Sequence, residues 1–373
     1  MLSTPRKIAL IHDHLAQDGG AERVLQVFQQ MWPEAPIYVL VHDPKHASPA
    51  FNGKDIRTSF IQHLPLGVKK YQWFFPFMPS AVESYDLSQY DLIISSSSSY
   101  AKGVISNPDA LHICYCHSPT RYLWSDTHSY VRELGVPRVI KWILPSMLSL
   151  VRMWDKMAAE RVDSYIANSQ LVKRRIKKYY NADSTVIYPP VNVQEFPVGQ
   201  GTGDYFLAGG RLVPYKRFDL LVQAFNQLGR KLTIYGDGPA FAELKAQAHS
   251  NITFLGRVSE DKKKELLRDC IAFLNPQEED FGITMVEAHA AGRPVIAYKG
   301  GGAAEIVLPG VTGELFDEQT WEDVADAVLH FSPMKYNPAR IRERAMEFDV
   351  ERFKREMFTF VEQQLKLHTH VWN

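Results

Sequence analysis

Glu279 and Glu287 close the two ends of the segment Glu279-Asp-Phe-Gly-Ile-Thr-Met-Val-Glu287, eight positions apart, with Phe281-Gly282 between them. Ionised carboxylates only accept hydrogen bonds, so a pair of them suits a ligand rich in hydroxyls, a sugar or the ribose of a nucleotide. The apolar run Ile271-Ala-Phe-Leu-Asn-Pro276 before the segment reads as a buried strand. The stretch Val286 to Ala291 reads as a helix closed by Gly292-Arg293-Pro294. Glu279 therefore falls in a strand-to-helix loop, and Glu287 on the first turns of the helix. Open α/β sheets bind ligands at that end of their strands, and a helix start adds unpaired backbone N–H groups. A solvated loop glutamate followed by one that complements a helix N-terminus has the same spacing. Recurrence of such loops along the chain favours the ligand.

Four other loops share this chemistry. Gln17-Asp18-Gly19-Gly20-Ala21-Glu22-Arg23 opens a helix after the first strand, and its glycines let a phosphate approach the backbone. It is not G-x-G-x-x-G, which argues against a nicotinamide or flavin dinucleotide. Gly209-Gly210-Arg211-Leu-Val-Pro-Tyr-Lys216-Arg217 offers two cations that can neutralise a diphosphate, Arg211 in bidentate fashion. Gly236-Asp237-Gly238-Pro239 can admit a flat base or a ribose, although a simple turn with an Asp cap explains it equally. Tyr298-Lys299-Gly300-Gly301-Gly302-Ala-Ala-Glu305 is a further glycine loop entering a helix. His117, in Cys116-His-Ser-Pro-Thr-Arg-Tyr122, stands at a strand end and can face a ligand or be satisfied within its turn.

The elements that must position these loops alternate along the chain. Strands are expected at Lys7–His12, Ile37–Leu40, Leu92–Ser95, His112–Cys116, Ser164–Ala167 and Val186–Tyr188. A second series starts at Tyr205 and continues at Lys231–Tyr235, Ile252–Phe254, Ile271–Leu274 and Val295–Ala297. Helical patterns lie between them, among them Ala21–Met31, Gln170–Tyr180, Arg217–Leu228 and Asp261–Asp269. Such βα alternation predicts parallel sheets with crossover helices. A Pro- and Gly-rich stretch at about 189–203 marks a linker. The expected architecture is α/β: two Rossmann-like doubly wound domains, 1–190 and 191–351, facing across a deep cleft, with a terminal helix, 352–373, packing back on the first.

With 373 residues, 45% hydrophobic content and zero net charge, the composition is that of an ordinary two-domain globular chain. Cys114, Cys116 and Cys270 are too few for a disulfide framework and read as core. No paired C-x-x-C or H-E-x-x-H occurs, and of the 13 histidines only His12-Asp13-His14 forms a tight trio, so no metal is expected. Met1 to Arg6 lead straight into a strand, without a signal peptide, and no apolar run is long enough to span a membrane. Residues 1–190 carry 21 Lys and Arg against 16 Asp and Glu, whereas the remainder carries 21 against 26. Basic and aromatic residues interleave between Arg138 and Lys178 and again in Lys69-Lys-Tyr-Gln-Trp-Phe-Phe75. These stretches suit an anionic inner-membrane surface, with Trp142, Ile143, Leu144 and Trp154 inserting and Lys141, Arg152 and Lys156 meeting phosphates. A core helix with a basic face is the alternative; nucleic acid is not an expected partner.

Taken together, Gly19-Gly20-Ala21-Glu22, Gly210-Arg211-Leu212 with Lys216, Gly236-Asp237-Gly238-Pro239 and Glu279 through Glu287, continued by Ala288-His-Ala-Ala-Gly292-Arg-Pro294, resemble the retaining GT-B glycosyltransferases of family 4. The resemblance covers nearly the whole chain. It implies that Gly19 and Gly20 lie near donor phosphates and that His117 approaches the donor sugar. Arg211 and Lys216 would stabilise the departing diphosphate. Gly236, Gly238, Arg257 and Val258 would lie by the base, Glu279, Phe281, Gly282 and Ile283 by the sugar, and Glu287 by the ribose. Where the family often has Glu-Gly-Phe-Gly, this chain has Glu279-Asp280-Phe281-Gly282. The Cys-His-Ser-Pro-Thr-Arg-Tyr and Glu-Glu-Asp-Phe-Gly-Ile variants look most like bacterial O-antigen and exopolysaccharide mannosyltransferases. The expected enzyme transfers mannose from GDP-mannose to a polyprenyl-diphosphate-linked saccharide, at the cytoplasmic face of the inner membrane, without cofactor or essential metal. A nucleotide-sugar epimerase of the same shape, or a non-catalytic nucleotide-sugar-binding subunit, is the alternative.

Overall fold

The computed structural model describes residues 6–128, 131, 138–199 and 203–371. Residues 1–5, 200–202 of the expected linker and 372–373 of the expected terminal helix lie outside the described residues. The chain divides into two compact units, Met1–Tyr188 with Lys354–Asn373, and Pro189–Phe353.

Among the described residues the first unit holds a seven-stranded sheet in the order β3-β2-β1-β4-β5-β6-β7. The strands are β1 Ile8–His12, β2 Ile37–Val39, β3 Ile56–Thr58, β4 Leu92–Ser97, β5 Leu111–Cys116, β6 Ser164–Ala167 and β7 Ser184–Val186. Every neighbouring pair is parallel. Strands β4 and β5 are buried throughout, as strands covered on both faces by helices must be. The second unit repeats the plan in the order β10-β9-β8-β11-β12-β13. Its strands are β8 Phe206–Gly209, β9 Leu232–Tyr235, β10 Ile252–Gly256, β11 Phe273–Asn275, β12 Val295–Tyr298 and β13 Gly313–Phe316. Both units are therefore Rossmann-like doubly wound sheets. In each, strand order reverses at one point, between β1 and β4 and between β8 and β11, and ligands of such sheets bind beyond the strand ends there.

Local signals explain the better-read helices. Helix Gln170–Tyr180 starts where Ser169 Oγ accepts from the Val172 N–H at 3.1 Å, and it stops at Asn181 in the left-handed conformation. Strands β3 and β13 were not expected, and β7 was expected two residues further on. All three lie at sheet edges, where half-solvated sequences such as Ile56-Arg-Thr58 lack a continuous apolar run. Helix Val350–Val371 ends the described chain, and its residues from Lys354 group with the first unit. There Phe358 meets Trp32 edge-on at 5.7 Å, and Ser164 Oγ donates to Gln364 Oε1 at 2.7 Å.

The basic, aromatic segment is partly corrected. Helix Arg138–Ala159 turns Leu144, Leu148, Val151 and Ala158 inward. Leu144 is 4% exposed, and Trp154 packs on Tyr100 while its Nε1 donates to Glu83. Neither is placed to insert into a bilayer. Arg152 and Lys156 are spent on the Leu123 and Tyr180 carbonyls. The outward stripe is instead Trp142, Leu150, Met153 and Met157, at helical spacing, with Ile143 beside it. Trp73 and Phe77 are also exposed, but Tyr71, Phe74 and Phe75 pack against the core. The three cysteines are buried and unpaired, as expected of core residues. No helix among the described residues is long and apolar enough to cross a membrane.

Candidate functional site

In the second unit the expected residues gather beyond β8 and β11, at the reversal of strand order. After β8, Gly210 adopts a positive φ of 131°, and the chain turns through a short 3-10 segment, Pro214–Lys216. Arg217 follows in the left-handed region at φ 53°, a costly conformation for a non-glycine residue, and helix Phe218–Leu228 begins. This reversal directs Lys216 back to the loop after β11, where its Nζ lies 2.9 Å from Glu279 Oε1. Gln277 Nε2 donates to the same oxygen at 2.9 Å. Lys216 and Glu279 were read as ligands of two different groups, a diphosphate and a sugar. They are paired with each other and so are ordered as one unit. Burial on its own would lower the pKa of Lys216, but the charge and hydrogen bond of Glu279, together with Tyr215, outweigh it and the amine is held above its ordinary value. Arg211 stands exposed on the same loop, with no ion pair among the described residues.

Gly282, which has no side chain to cap with, precedes helix Ile283–Ala290 at φ 103°, and the first N–H groups of a helix have no partner within it. The Phe281 side chain does not serve a ligand. It is 3% exposed and packs edge-on against Phe348, so only its backbone can take part. Glu287 is buried, with Lys263 Nζ 3.0 Å from its Oε1 and 2.8 Å from Glu260 Oε2. The glycines expected by the base also have a structural reason. A Cβ on Gly236 would sit 1.8 Å from the Gly210 carbonyl, and one on Gly238 2.3 Å from the Leu212 carbonyl. They let the two loops pack backbone to backbone. Arg257, exposed, leans on Asp237 at 3.6 Å, and Val258 is half-buried.

In the first unit, His12 at the end of β1, Ser96 on β4, His117 after β5 and Glu22 in helix Gly20–Met31 come together. Ser96 Oγ lies 3.1 Å from His12 Nδ1 and 2.8 Å from His117 Nε2. His12 Nε2 is 3.8 Å from Glu22 Oε1, an ion-pair contact longer than a hydrogen bond. Gln17 donates to the same oxygen at 3.1 Å. Asp13 accepts from the N–H groups of Ser98, Tyr100 and Ala101. A Cβ on Gly19 would meet Glu22 Oε2 at 2.9 Å, so the missing side chain also makes room for that carboxylate. Gly20 is exposed at the helix start. No group of three His, Cys, Asp or Glu among the described residues is arranged to hold a metal ion.

Residues 194–348 match the family Glycosyl transferases group 1, and residues 18–195 match Glycosyltransferase Family 4. The two halves of the chain are thus each similar to a glycosyltransferase domain family. An uncharacterized glycosyltransferase of Methanocaldococcus jannaschii is 29% identical over 202 residues, 53% of this chain and 57% of the relative. A GDP-mannose-dependent alpha-(1-6)-phosphatidylinositol monomannoside mannosyltransferase of Mycobacterium tuberculosis is 38% identical over 136 residues, 32% of this chain and 35% of the relative. The chain spans about half the length, or less, of these curated relatives. Anabaena HepE, crystallised with UDP and glucose, shares the fold with a TM-score of 0.72 at 19% identity, over 96% of this chain and 99% of its own.

Several site residues were not singled out from sequence. Ser96 hid in the low-complexity run Ser95–Ser99, whose serines from 95 to 97 are fully buried on β4. Asn168 holds the His117 carbonyl at 2.9 Å, and Lys263 was unmarked in an exposed-looking helix. Glu22 was part of a quoted motif but had no role. Burial alone would raise its carboxyl pKa, but His12, then His14, outweigh this and bring it from 4.5 to about 2. A group depressed on folding contributes stability above its unfolded pKa and loses it as pH falls through the folded one. The first unit should therefore weaken between pH 4.5 and about 2, by up to ~3 kcal/mol, and Glu22→Gln should lack that limb. Urea midpoints measured against pH check this; parallel curves for the two proteins would remove Glu22 from the account.

Proposed function

We propose that the chain is a retaining glycosyltransferase that moves a sugar from a nucleotide-diphosphate donor, GDP-mannose foremost, to a lipid-linked saccharide in cell-surface polysaccharide synthesis. The observation that carries this reading is the Lys216–Glu279 pair beside the helix start at Gly282, at the strand-order reversal of the second unit. Positive charge and hydroxyl acceptors stand together there, as a sugar diphosphate requires. In the reaction the bond from the sugar C1 to the diphosphate oxygen breaks and a new C1–oxygen bond to the acceptor forms. The acceptor hydroxyl proton passes to the departing phosphate on the same face. Lys216, Arg211 and the amides of Ile283 and Thr284 stabilise the charge that develops. Glu279 orients the sugar, Glu287 takes the ribose, and in the first unit His117 meets the sugar nucleotide. Mannose is supported by the Mycobacterium tuberculosis relative, whose name also specifies a lipid acceptor.

A panel of GDP- and UDP-sugars tests the donor, because a ligand of the folded state raises its melting temperature with concentration. GDP-mannose should give the largest shift. Glu287→Ala should weaken GDP and GDP-mannose alike, whereas Glu279→Ala should weaken mainly GDP-mannose. A larger shift with a UDP-sugar would displace mannose, and equal losses of both ligands in both variants would refute the division of roles. Transfer should persist in EDTA; metal-restorable loss would reveal a cation requirement.

The first unit is proposed to dock on the anionic cytoplasmic face of a membrane. Trp142, Ile143, Leu150, Met153 and Met157 form the apolar contact, and Lys69 and Lys70 are exposed near Trp73. Replacing Trp142 and Leu150 with serine should abolish co-sedimentation with anionic vesicles at low salt. Undiminished binding would refute this surface.

A further inference from the structure

His117 can serve a substrate in two opposite ways, as a hydrogen-bond donor or as a base, and its neighbours decide between them. His12 Nδ1 lies 3.1 Å from the Ser96 carbonyl oxygen, which can only accept. His12 Nδ1 therefore carries a hydrogen. The same nitrogen lies 3.1 Å from Ser96 Oγ, so that hydroxyl receives a hydrogen from His12 and cannot give one back. Ser96 is fully buried, and its one remaining partner among the described residues is His117 Nε2 at 2.8 Å. If His117 also donated to this oxygen, the hydroxyl hydrogen would be left in the core without an acceptor, which is costly. The hydroxyl therefore donates to His117 Nε2, and the His117 hydrogen sits on Nδ1, which has no protein partner among the described residues.

Glu22 completes the arrangement from the other side. Its carboxylate faces His12 Nε2 at 3.8 Å and His14 Nδ1 at 4.0 Å, and Gln17 fixes it at 3.1 Å. The His12 contact is longer than a hydrogen bond, and a carboxylate offers His12 Nε2 no hydrogen to accept, which leaves Nδ1 as the hydrogen-bonded end of the ring. We propose that Glu22, His12 and Ser96 are positioning residues that hold His117 in the Nδ1–H tautomer, so that it meets the transferred sugar as a hydrogen-bond donor and not as a base. This rests on the reading of the chain as a glycosyltransferase whose sugar reaches His117. Burial, with the His12 charge adding to it, pushes the His117 imidazole down to about 4, so the ring is neutral at physiological pH. The ring is also oriented, since Asn168 Nδ2 holds its carbonyl at 2.9 Å, the Ser97 carbonyl holds its N–H at 2.8 Å, and Tyr115 meets it edge-on at 5.2 Å. A donor aimed at a sugar hydroxyl or ring oxygen fits a reaction in which the departing phosphate takes the acceptor proton.

The tautomer is read from the nitrogen shifts of 15N-histidine-labelled protein, with His117 assigned by difference from His117→Gln. The expected wild-type signal near pH 7 is a protonated Nδ1 and an unprotonated Nε2. Ser96→Ala should move it toward the Nε2–H form and lower kcat about tenfold, with the donor KM little changed, the cost of one misdirected hydrogen bond. Ser96→Thr, which keeps the hydroxyl, should restore both. An Nε2–H or doubly protonated His117 in the wild type would overturn the proposal, as would an unchanged signal and full turnover in Ser96→Ala. The signal is read on free protein. Absence of transfer with every donor would therefore remove the glycosyltransferase reading while leaving the hydrogen position established.

Discussion

Lys216→Ala is expected to lower turnover at saturating donor by roughly a hundredfold or more, the order of effect when a preorganised charge-stabilising group is lost. The variant removes more than a cation. Glu279 Oε1 accepts from Lys216 at 2.9 Å, so the same change releases the carboxylate assigned to the sugar. Arg211→Ala should act in the same direction by a smaller factor, because Arg211 is exposed and anchors no partner among the described residues. The ratio of kcat to KM effects separates their roles. A loss confined to KM would mean that they bind donor and transition state equally, and a loss in kcat that they serve the departing diphosphate. Near wild-type kcat in both variants would remove them from the reaction. Glu279→Gln adds a test of sign. Burial is the largest influence on the Lys216 amine and lowers its pKa; Glu279, with Tyr215, holds it above its ordinary value, so with the Glu279 charge gone burial prevails and the pKa falls. The alkaline limb of the pH–rate profile should then move to lower pH.

What the sequence conveyed about this site depended on whether a residue's role was local. The loops after β1, β8, β9, β11 and β12 were legible because each has an apolar run before it, a glycine or cation at the turn, and a helical period after it. The same logic located helix Gln170–Tyr180, whose Ser169 cap and Asn181 stop are both written in the chain. Roles that depend on a partner far along the chain were not legible. Glycine at 236 and 238 reads as space for a ligand, and its second role, the close approach of the Gly210 and Leu212 carbonyls, shows only in the fold. Lys216 and Glu279, 63 positions apart, read as two ligand groups and are one ion pair. Ser96 and His117 gain their meaning only through the parallel pairing of β4 with β5, which sets Ser97 beside Cys116 and brings the two strand ends together. Edge strands such as β3 and β13 were invisible for a different reason. Each is short and only partly buried, with a charged residue inside it, Arg57 or Glu314, so neither carries a buried strand's apolar run.

The largest stability effect should come from a residue pair that lies outside the reacting groups. Asp155, on helix Arg138–Ala159, is buried and receives four donors. Lys102 Nζ and Thr120 Oγ1 donate to its Oδ1, the latter at 2.8 Å; Trp124 Nε1 and Tyr180 Oη donate to its Oδ2, at 2.8 and 3.0 Å. Lys102, equally buried, also donates to the Ser99 carbonyl. Thr120 and Trp124 belong to the loop that follows His117, so this carboxylate ties that loop to the helix beneath it. A warning was present in the sequence: Leu144, Leu148, Val151, Asp155 and Ala158 follow one another at helical spacing, and an acid on an apolar stripe demands a buried partner. Removing one member of such a pair leaves the other charged, desolvated and alone, which typically costs ~3–5 kcal/mol. Asp155→Ala and Lys102→Ala should each destabilise the first unit by that order, measured by urea unfolding with Trp124 as a nearby fluorophore. Replacing both, Lys102→Met with Asp155→Leu, should recover part of the loss because no lone charge remains. Recovery should be incomplete, since Thr120, Trp124 and Tyr180 still lack their acceptor. A loss under about 1 kcal/mol in either single variant, the range of an exposed ion pair, would show that the two charges do not depend on each other.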